Sequence, residues 1–185
     1  MKFEYEQTEF NGIVKVKRRQ MGDERGFFSR LWCIEQLKEI GWTEEVLQVN
    51  HSYSKKTGTV RGLHYQTEPY REKKFVTCLK GAISDVIVDV RENSETFLKH
   101  IVIELSESNC NSLIVPEGFA HGFQTLTDDT EIIYLVSNQY SMKYEKGLNP
   151  LDPRLNIEWT TEITDLSERD KSHEFVNASF KGERL

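Results

Sequence analysis

Ala82-Ile-Ser-Asp-Val-Ile-Val-Asp-Val90 is the stretch whose reading decides the fold. Side chains of an extended strand alternate between two faces. Val86, Val88 and Val90 therefore share one face, and Ile83, Asp85, Ile87 and Asp89 share the other. One face is mainly apolar and the other mixes apolar residues with two carboxylates, which is the period-two signature of a strand within a sheet. Outward from this stretch, short β-rich runs recur in both directions: Gly12–Val16, Leu47–His51, Thr59–Tyr65, Lys74–Leu79, His100–Leu105, Asn111–Val115, Gly122–Leu126 and Glu131–Ser137. Turn signals separate several of them, at Lys80-Gly81, Glu117-Gly118 and Asp128-Asp129. Many short, closely spaced strands predict a mainly β sandwich or barrel rather than a βαβ alternation.

Helix signals are few. Leu31, Ile34, Leu37 and Ile40 recur at roughly helical spacing and stop before Gly41, a fitting residue past a helix end. A second helix is predicted near Ser167, where Ser-Glu-Arg-Asp places an acid three residues after the cap. The chain has 185 residues and a formal net charge of −6. That length suits one domain, large enough to hold a core without disulfide or metal staples. The acidic balance argues against a general nucleic-acid or membrane-surface binder, though local arginines can still form an anion site. The longest apolar run is Ile132–Val136, far short of the roughly 20 residues that span a bilayer. The N-terminal stretch is charged and has no apolar h-region, and the three cysteines, Cys33, Cys78 and Cys110, are an odd and sparse set. Together these features predict reduced thiols in a cytoplasmic protein.

Candidate chemistry centres on two histidines. His64 lies in Arg61-Gly-Leu-His-Tyr-Gln66. On a regular strand Gly62 shares its face, leaving room for a ligand or another backbone, or else marking a bulge. Arg61 reaches that face only if the strand twists or bulges. His121 lies in Pro116-Glu-Gly-Phe-Ala-His-Gly-Phe123, a turn that delivers a histidine onto the next strand. This Pro-x-Gly-x-x-His pattern is similar to half of the cupin metal signature, but the His-x-His half is missing, so the expectation is no metal. Arg25 beside Phe27 and Phe28 reads either as a clamp for phosphate and base or as an edge-strand aromatic cluster. Asp152, between Leu151 and Pro153, reads by itself as a turn aspartate, and Tyr134 by itself reads as strand core.

Taken in order, these segments resemble the dTDP-4-dehydrorhamnose 3,5-epimerase family. The carrying residues are Asp23–Phe28, Gln48–His51, Arg61–Gln66, Lys74–Val76, Asp85–Arg91, Pro116–Phe123 and Asn156–Trp159. The resemblance implies a double-stranded β-helix, the cupin-like jelly-roll barrel with a few short helices. It implies a single domain over 1–185 with an N-terminal arm and a short helical C-terminal segment. It further implies epimerisation of a nucleoside diphosphate 4-keto-6-deoxy sugar at C3 and/or C5 through an enolate, with no cofactor. By the same resemblance His64 is the base, Asp152 the carboxylate that holds it, Lys74 the cation near the enolate oxygen, and Tyr134 the acid on the opposite face. Arg25 and Arg61 would hold the diphosphate, Gln48 and Asn50 would make polar contacts, and Phe28 and Tyr140 would sandwich the base. His121 would support His64. Arg25 and its neighbours would reach an adjacent subunit, which predicts a strand-swapped homodimer.

Thr77, Leu135 and Pro150 stand where the family commonly has arginine, lysine and tryptophan, and Ser29-Arg30 follows the first aromatic run where some members carry a glutamate. These departures are expected to fall on the sugar and base pockets, which leaves the base (dTDP, CDP or GDP) and the epimerised carbon open. The competing functions are a 3,4-ketoisomerase on the same fold and a metal-dependent or non-catalytic cupin.

Overall fold

The computed structural model describes residues 2–185. Its elements in chain order are β1 (Glu4–Gln7), β2 (Val14–Lys17), β3 (Gln20–Asp23), β4 (Gly26–Ser29), α1 (Ile34–Lys38), β5 (Gln48–Ser54), β6 (Thr59–Gln66), β7 (Lys74–Lys80), β8 (Ala82–Asp89), β9 (His100–Ser106), β10 (Asn111–Val115), β11 (Phe119–Thr125), β12 (Thr130–Val136), β13 (Glu145–Gly147), β14 (Asp165–Leu166) and α2 (Glu168–Lys171). One sheet runs β1-β2-β10-β7-β12-β5 and a second runs β13-β6-β11-β8-β9, with β14 added parallel to β6. β3 and β4 form a hairpin apart from both sheets. No helix among the described residues is long and apolar enough to cross a membrane.

The alternation read in the sequence explains the layers. Val76, Cys78, Leu113 and Ile132 of the first sheet meet Ile83, Ile87, Leu105 and Phe123 of the second in an inner core. The alternate residues of the first sheet, Phe75, Ile114 and Leu135, pack outward against Leu37, Ile40 and Trp42 from the α1 segment. On the second sheet Val86, Val88 and Val90 are covered by Leu148, Leu155 and Val176 of the C-terminal segment. The valine face of β8 is thus its outer face, and its mixed face looks into the barrel. Both carboxylates of that mixed face have a partner, although one Asp85 oxygen, Oδ2, is buried without one. Asp85 pairs with His121, and Asp89 binds the Arg91 guanidinium and the hydroxyls of Ser94 and Thr96.

The strand boundaries follow turn chemistry. Gly12 takes φ +93, so the first predicted strand starts later, at Val14. β11 starts earlier than predicted, at Phe119, because Gly118 at φ +79 completes the turn after Pro116. The turn therefore delivers His121 onto β11, as its motif predicts. α1 is a short helix that gives way to the turn at Gly41, where φ is +104. Cys33, Cys78 and Cys110 are unpaired, and burial in the inner core pushes the Cys78 thiol up to about 12.

Candidate active site

A β-bulge sets the geometry of the site. On β11, His121 and Phe123 are two residues apart, yet they pair with His64 and Arg61 on β6, which are three apart. The extra residue on β6 is a bulge. It brings Arg61 and His64 onto one face, the condition the sequence required for Arg61 to approach the histidine. Two glycines permit it. A Cβ on Gly62 would lie 2.7 Å from both the Gly122 Cα and the His121 carbonyl oxygen, and one on Gly122 would lie 2.6 Å from the Arg61 carbonyl oxygen. Gly62 also has φ +104, a region that side chains other than glycine avoid. The space beside Gly62 is therefore filled by another backbone.

The partner of His64 is Asp170, not Asp152. His64 Nε2 lies 2.7 Å from Asp170 Oδ1, and the Gly62 N–H donates to Asp170 Oδ2 at 3.3 Å. Asp152 sits elsewhere, 2% exposed, with its oxygens accepting from the backbone N–H groups of Arg154 and Val176. It is the turn aspartate its sequence suggested by itself: it fastens the C-terminal segment and lines neither cavity at His64. Asp170 comes from α2, and the Ser-x-x-Asp motif announced it in another guise. Ser167 Oγ accepts from the Asp170 N–H at 3.1 Å, as a cap should. The Asp170 side chain, in place of closing a capping box, turns to His64. Burial pushes the Asp170 carboxyl up, but the hydrogen bond and charge of His64, with help from Ser167 and Gly62, hold it below the usual carboxylate range.

Tyr134 and Lys74 face this pair from the other sheet. They stand on β12 and β7, neighbouring strands in which Tyr134 lies opposite Val76 and Val136 opposite Lys74. Two cavities of about 380 and 440 Å³ share His64, Lys74, Tyr134 and Arg169, forming two lobes of one cleft between the sheets. The first lobe adds Arg61 and His121, and the second adds Gln48, Asn50, Tyr140 and Glu145. Burial, then the charges of Glu72 and Glu145, push the Tyr134 phenol above its ordinary value against the opposing pull of Arg61. Glu145 joins the hydroxyl of Tyr140, at 2.7 Å, to the guanidinium of Arg169. Burial raises its carboxyl, and those two partners hold it low.

Of the residues read from the sequence, His64, Tyr134, Lys74, Arg61, His121, Gln48, Asn50 and Tyr140 converge on this cleft. Arg25 and Phe28 do not. Arg25 pairs with Asp23 at the tip of the β3–β4 hairpin, its side chain 89% exposed, and Phe28 is 60% exposed. Asp170, Arg169, Glu72 and Glu145 were missed. The cap motif was the available signal for the first two, and no local pattern marks the others. Thr77, Leu135 and Pro150 line neither lobe. Thr77 and Leu135 point outward into an apolar groove with Trp32, Val49 and Ile133, because they occupy the alternate positions to Val76 and Tyr134. The expectation that these departures alter the sugar and base pockets is corrected accordingly.

His64, Asp170 and His173 bring three possible donor atoms within 4.8 Å of one another. Within this group His64 Nε2 and Asp170 Oδ1 are hydrogen-bonded to each other at 2.7 Å.

Fold and cleft define a cupin-like jelly-roll protein equipped for acid–base chemistry at a site between its sheets. The family model described as dTDP-4-dehydrorhamnose 3,5-epimerase matches residues 7–178, and the chain belongs to that family. It is 42% identical over 175 residues to the dTDP-4-dehydrorhamnose 3,5-epimerase of Shigella flexneri, covering 94% of this chain and 96% of that one. Among solved structures, a Legionella pneumophila dTDP-6-deoxy-D-glucose-3,5-epimerase in complex with dTDP-4-keto-L-rhamnose superposes with a TM-score of 0.91, at 31% identity and 99% coverage of both chains. A 3′-monoepimerase from Streptomyces bikiniensis superposes with a TM-score of 0.85, at 30% identity, covering 91% of this chain and 85% of that one. That structure is a complex with dTDP of a double mutant in which a histidine became asparagine and a tyrosine phenylalanine.

Proposed function

We infer that the protein is a dTDP-4-dehydrorhamnose 3,5-epimerase, and that His64 and Tyr134 exchange the protons. One observation carries this reading of the residues: His64, held by Asp170, and the phenol stand on facing sheets of one cleft. Sheets that face one another in this way lie about 10 Å apart, room for a sugar ring with a group on either side. Inverting a carbon requires removing a proton from one face and returning one to the other.

The C4 ketone makes the hydrogens on C3 and C5 acidic. With Nε2 engaged by Asp170, His64 takes a proton on Nδ1, and the C–H electron pair moves onto the ketone oxygen as an enolate. Asp170 fixes the tautomer and stabilises the imidazolium. Lys74 offers positive charge to the enolate oxygen. Tyr134 then donates its proton to the opposite face, the electron pair returns to carbon, and the carbonyl re-forms. No net oxidation occurs, and solvent restores the two proton carriers. The separation of the histidine and tyrosine replaced in the S. bikiniensis monoepimerase equals that of His64 and Tyr134 along this chain, which supports the pairing.

Arg61 and Arg169 suit the diphosphate, since guanidinium groups bind phosphate through paired N–H donors. Gln48, Asn50 and Tyr140 suit the nucleoside. Arg25 and Phe28 belong to the cleft of a second copy in a strand-exchanged homodimer. The exposed apolar residues Met21, Phe27 and Phe28 on the hairpin support this arrangement. Three unpaired cysteines suit the reducing cytoplasm.

The test is incubation with dTDP-, CDP- and GDP-linked 4-keto-6-deoxy sugars in D₂O, read by NMR. Deuterium is expected at C3 and C5 of the dTDP substrate, with the carbonyl remaining at C4, and His64→Ala is expected to abolish the exchange. Deuterium at C3 alone would make the protein a monoepimerase. Migration of the carbonyl to C3 would make it a ketoisomerase, and no exchange with any substrate would overturn the assignment.

A further inference from the structure

Four consecutive charged residues, Arg71 to Lys74, lead into β7, and the last three divide. Lys73 turns away from the cleft, its Nζ donating to the Gly41 carbonyl at 2.8 Å and pairing with Glu44 at 2.6 Å. Glu72 and Lys74, two residues apart, both turn into the cleft. Lys74 Nζ donates to the His64 carbonyl at 3.2 Å and lies 3.4 Å from Glu72 Oε1. Glu72 Oε2 accepts from Gln66 Nε2 at 3.0 Å. The Glu72 side chain is only 11% exposed, and a carboxylate taken that far out of water needs such partners. The reaction described above gives Glu72 no task. A negative charge beside the lysine that faces the enolate works against it unless the carboxylate serves another purpose.

We propose that Glu72 is a positioning residue for the acid side of the reaction: its carboxylate aims the Lys74 ammonium and presents negative charge to the Tyr134 hydroxyl. The proposal rests on the epimerase reading. Glu72, Lys74 and Tyr134 line one lobe of the cleft, and a charge there acts through protein more than through water. The other charged or titratable groups lining the cleft with Tyr134 are Arg61, His64 and Tyr65 on β6, Lys74 on β7, His121 on β11, Tyr140 before β13, Glu145 on β13, Asp165 on β14, and Arg169 and Asp170 on α2. Burial is the largest influence raising the phenol, and Glu72 is the next. A phenol raised in this way keeps its proton until an enolate draws it off. Glu72 also ties the two sides of the cleft together, because the lysine it holds is bonded to the backbone of the base itself.

Glu72→Gln tests this by removing the charge while keeping the shape and the oxygen that Gln66 approaches. Glu72→Ser removes the same charge and serves if the glutamine variant folds poorly. In protein labelled at the tyrosine ring carbon bearing the hydroxyl, with Tyr134 assigned through Tyr134→Phe, NMR titration reads the phenol directly. The Tyr134 midpoint is expected to fall by roughly half a unit or more when the charge is removed. Glu72→Asp, which keeps it, is expected to stay near the wild type. The alkaline limb of kcat/KM for solvent exchange should move down with the midpoint in the charge-removing variants. An unchanged Tyr134 midpoint in a folded Glu72→Gln or Glu72→Ser protein would overturn the proposal, as would an equal fall in Glu72→Asp. The titration needs no turnover, so the two readings fail separately. A wild type without exchange sinks the epimerase, and a wild type that exchanges with an unmoved midpoint sinks only the role of Glu72.

Discussion

Proton affinity is the property that individual residues of this cleft contribute, and it is set by neighbours. Asp170 is held below the usual carboxylate range by His64 against the upward push of burial. Its folded form therefore binds a proton less readily than the unfolded chain does. The stability this confers is complete above the ordinary carboxylate value, about 3.9, and is lost as pH falls through the lower folded value. His173 acts earlier. Burial and the charge of His64 lower it from 6.5, so the unfolded chain takes up that proton first and stability drops as pH falls below about 6.5. Melting at pH 7 and pH 5 checks this: His173→Gln should narrow the difference between the two. The two aspartates should separate cleanly in kinetics. Asp170→Asn is expected to lower kcat by roughly 10²-fold or more in a folded protein. Asp152→Ala, which strips the acceptor from two backbone N–H groups, should cost about 1–3 kcal/mol in denaturant unfolding and leave the folded fraction active.

Elements matter here mainly through their irregularities. A regular β6 would send Arg61 and His64 to opposite faces, and the bulge opposite Gly122 brings them together. Gly62→Ala places a methyl group 2.7 Å from two backbone atoms at a positive φ, and should destabilise by more than about 1 kcal/mol. Its activity should fall further than its folded fraction, since the displaced strand carries both residues; comparing circular dichroism with exchange rates measures the gap. The four-residue α2 is the other such element. It is too short to stand alone and is held by its Ser167 cap and the Asp170–His64 bond. Ser167→Ala should cost about 1 kcal/mol and lower kcat through Asp170 rather than raise KM.

At the scale of the whole molecule, the outer face of the first sheet and the β3–β4 hairpin present apolar side chains to solvent. Met21, Phe27, Phe28 and Val49 are exposed, and an apolar groove crosses the sheet. In the proposed homodimer the hairpin of one subunit completes the cleft of the other. A mixture of Arg25→Ala and His64→Ala proteins, each impaired alone, should regain exchange activity after subunit exchange, because the mixed dimer holds one site with both residues. Light scattering should report the dimer, and no recovery from a mixed dimer would place Arg25 outside the partner's site.

The sequence by itself determined the β architecture, because alternation of side chains is a local property that each strand carries on its own. It also singled out His64 and His121, whose neighbours on the chain mark them, and Lys74 and Tyr134 once the family resemblance was seen. Only the tertiary structure decided which aspartate holds His64. Asp152 and Asp170 both carry ordinary local readings, a turn and a cap, and nothing within a few residues says which one the barrel turns towards the histidine. The same holds for Glu72 and Arg169, whose meaning lies in partners on other elements, and for Thr77 and Leu135, which strand alternation sends away from the cleft. Pairing across the fold is a long-range fact: it depends on a bulge, a cap and the closure of two sheets acting together.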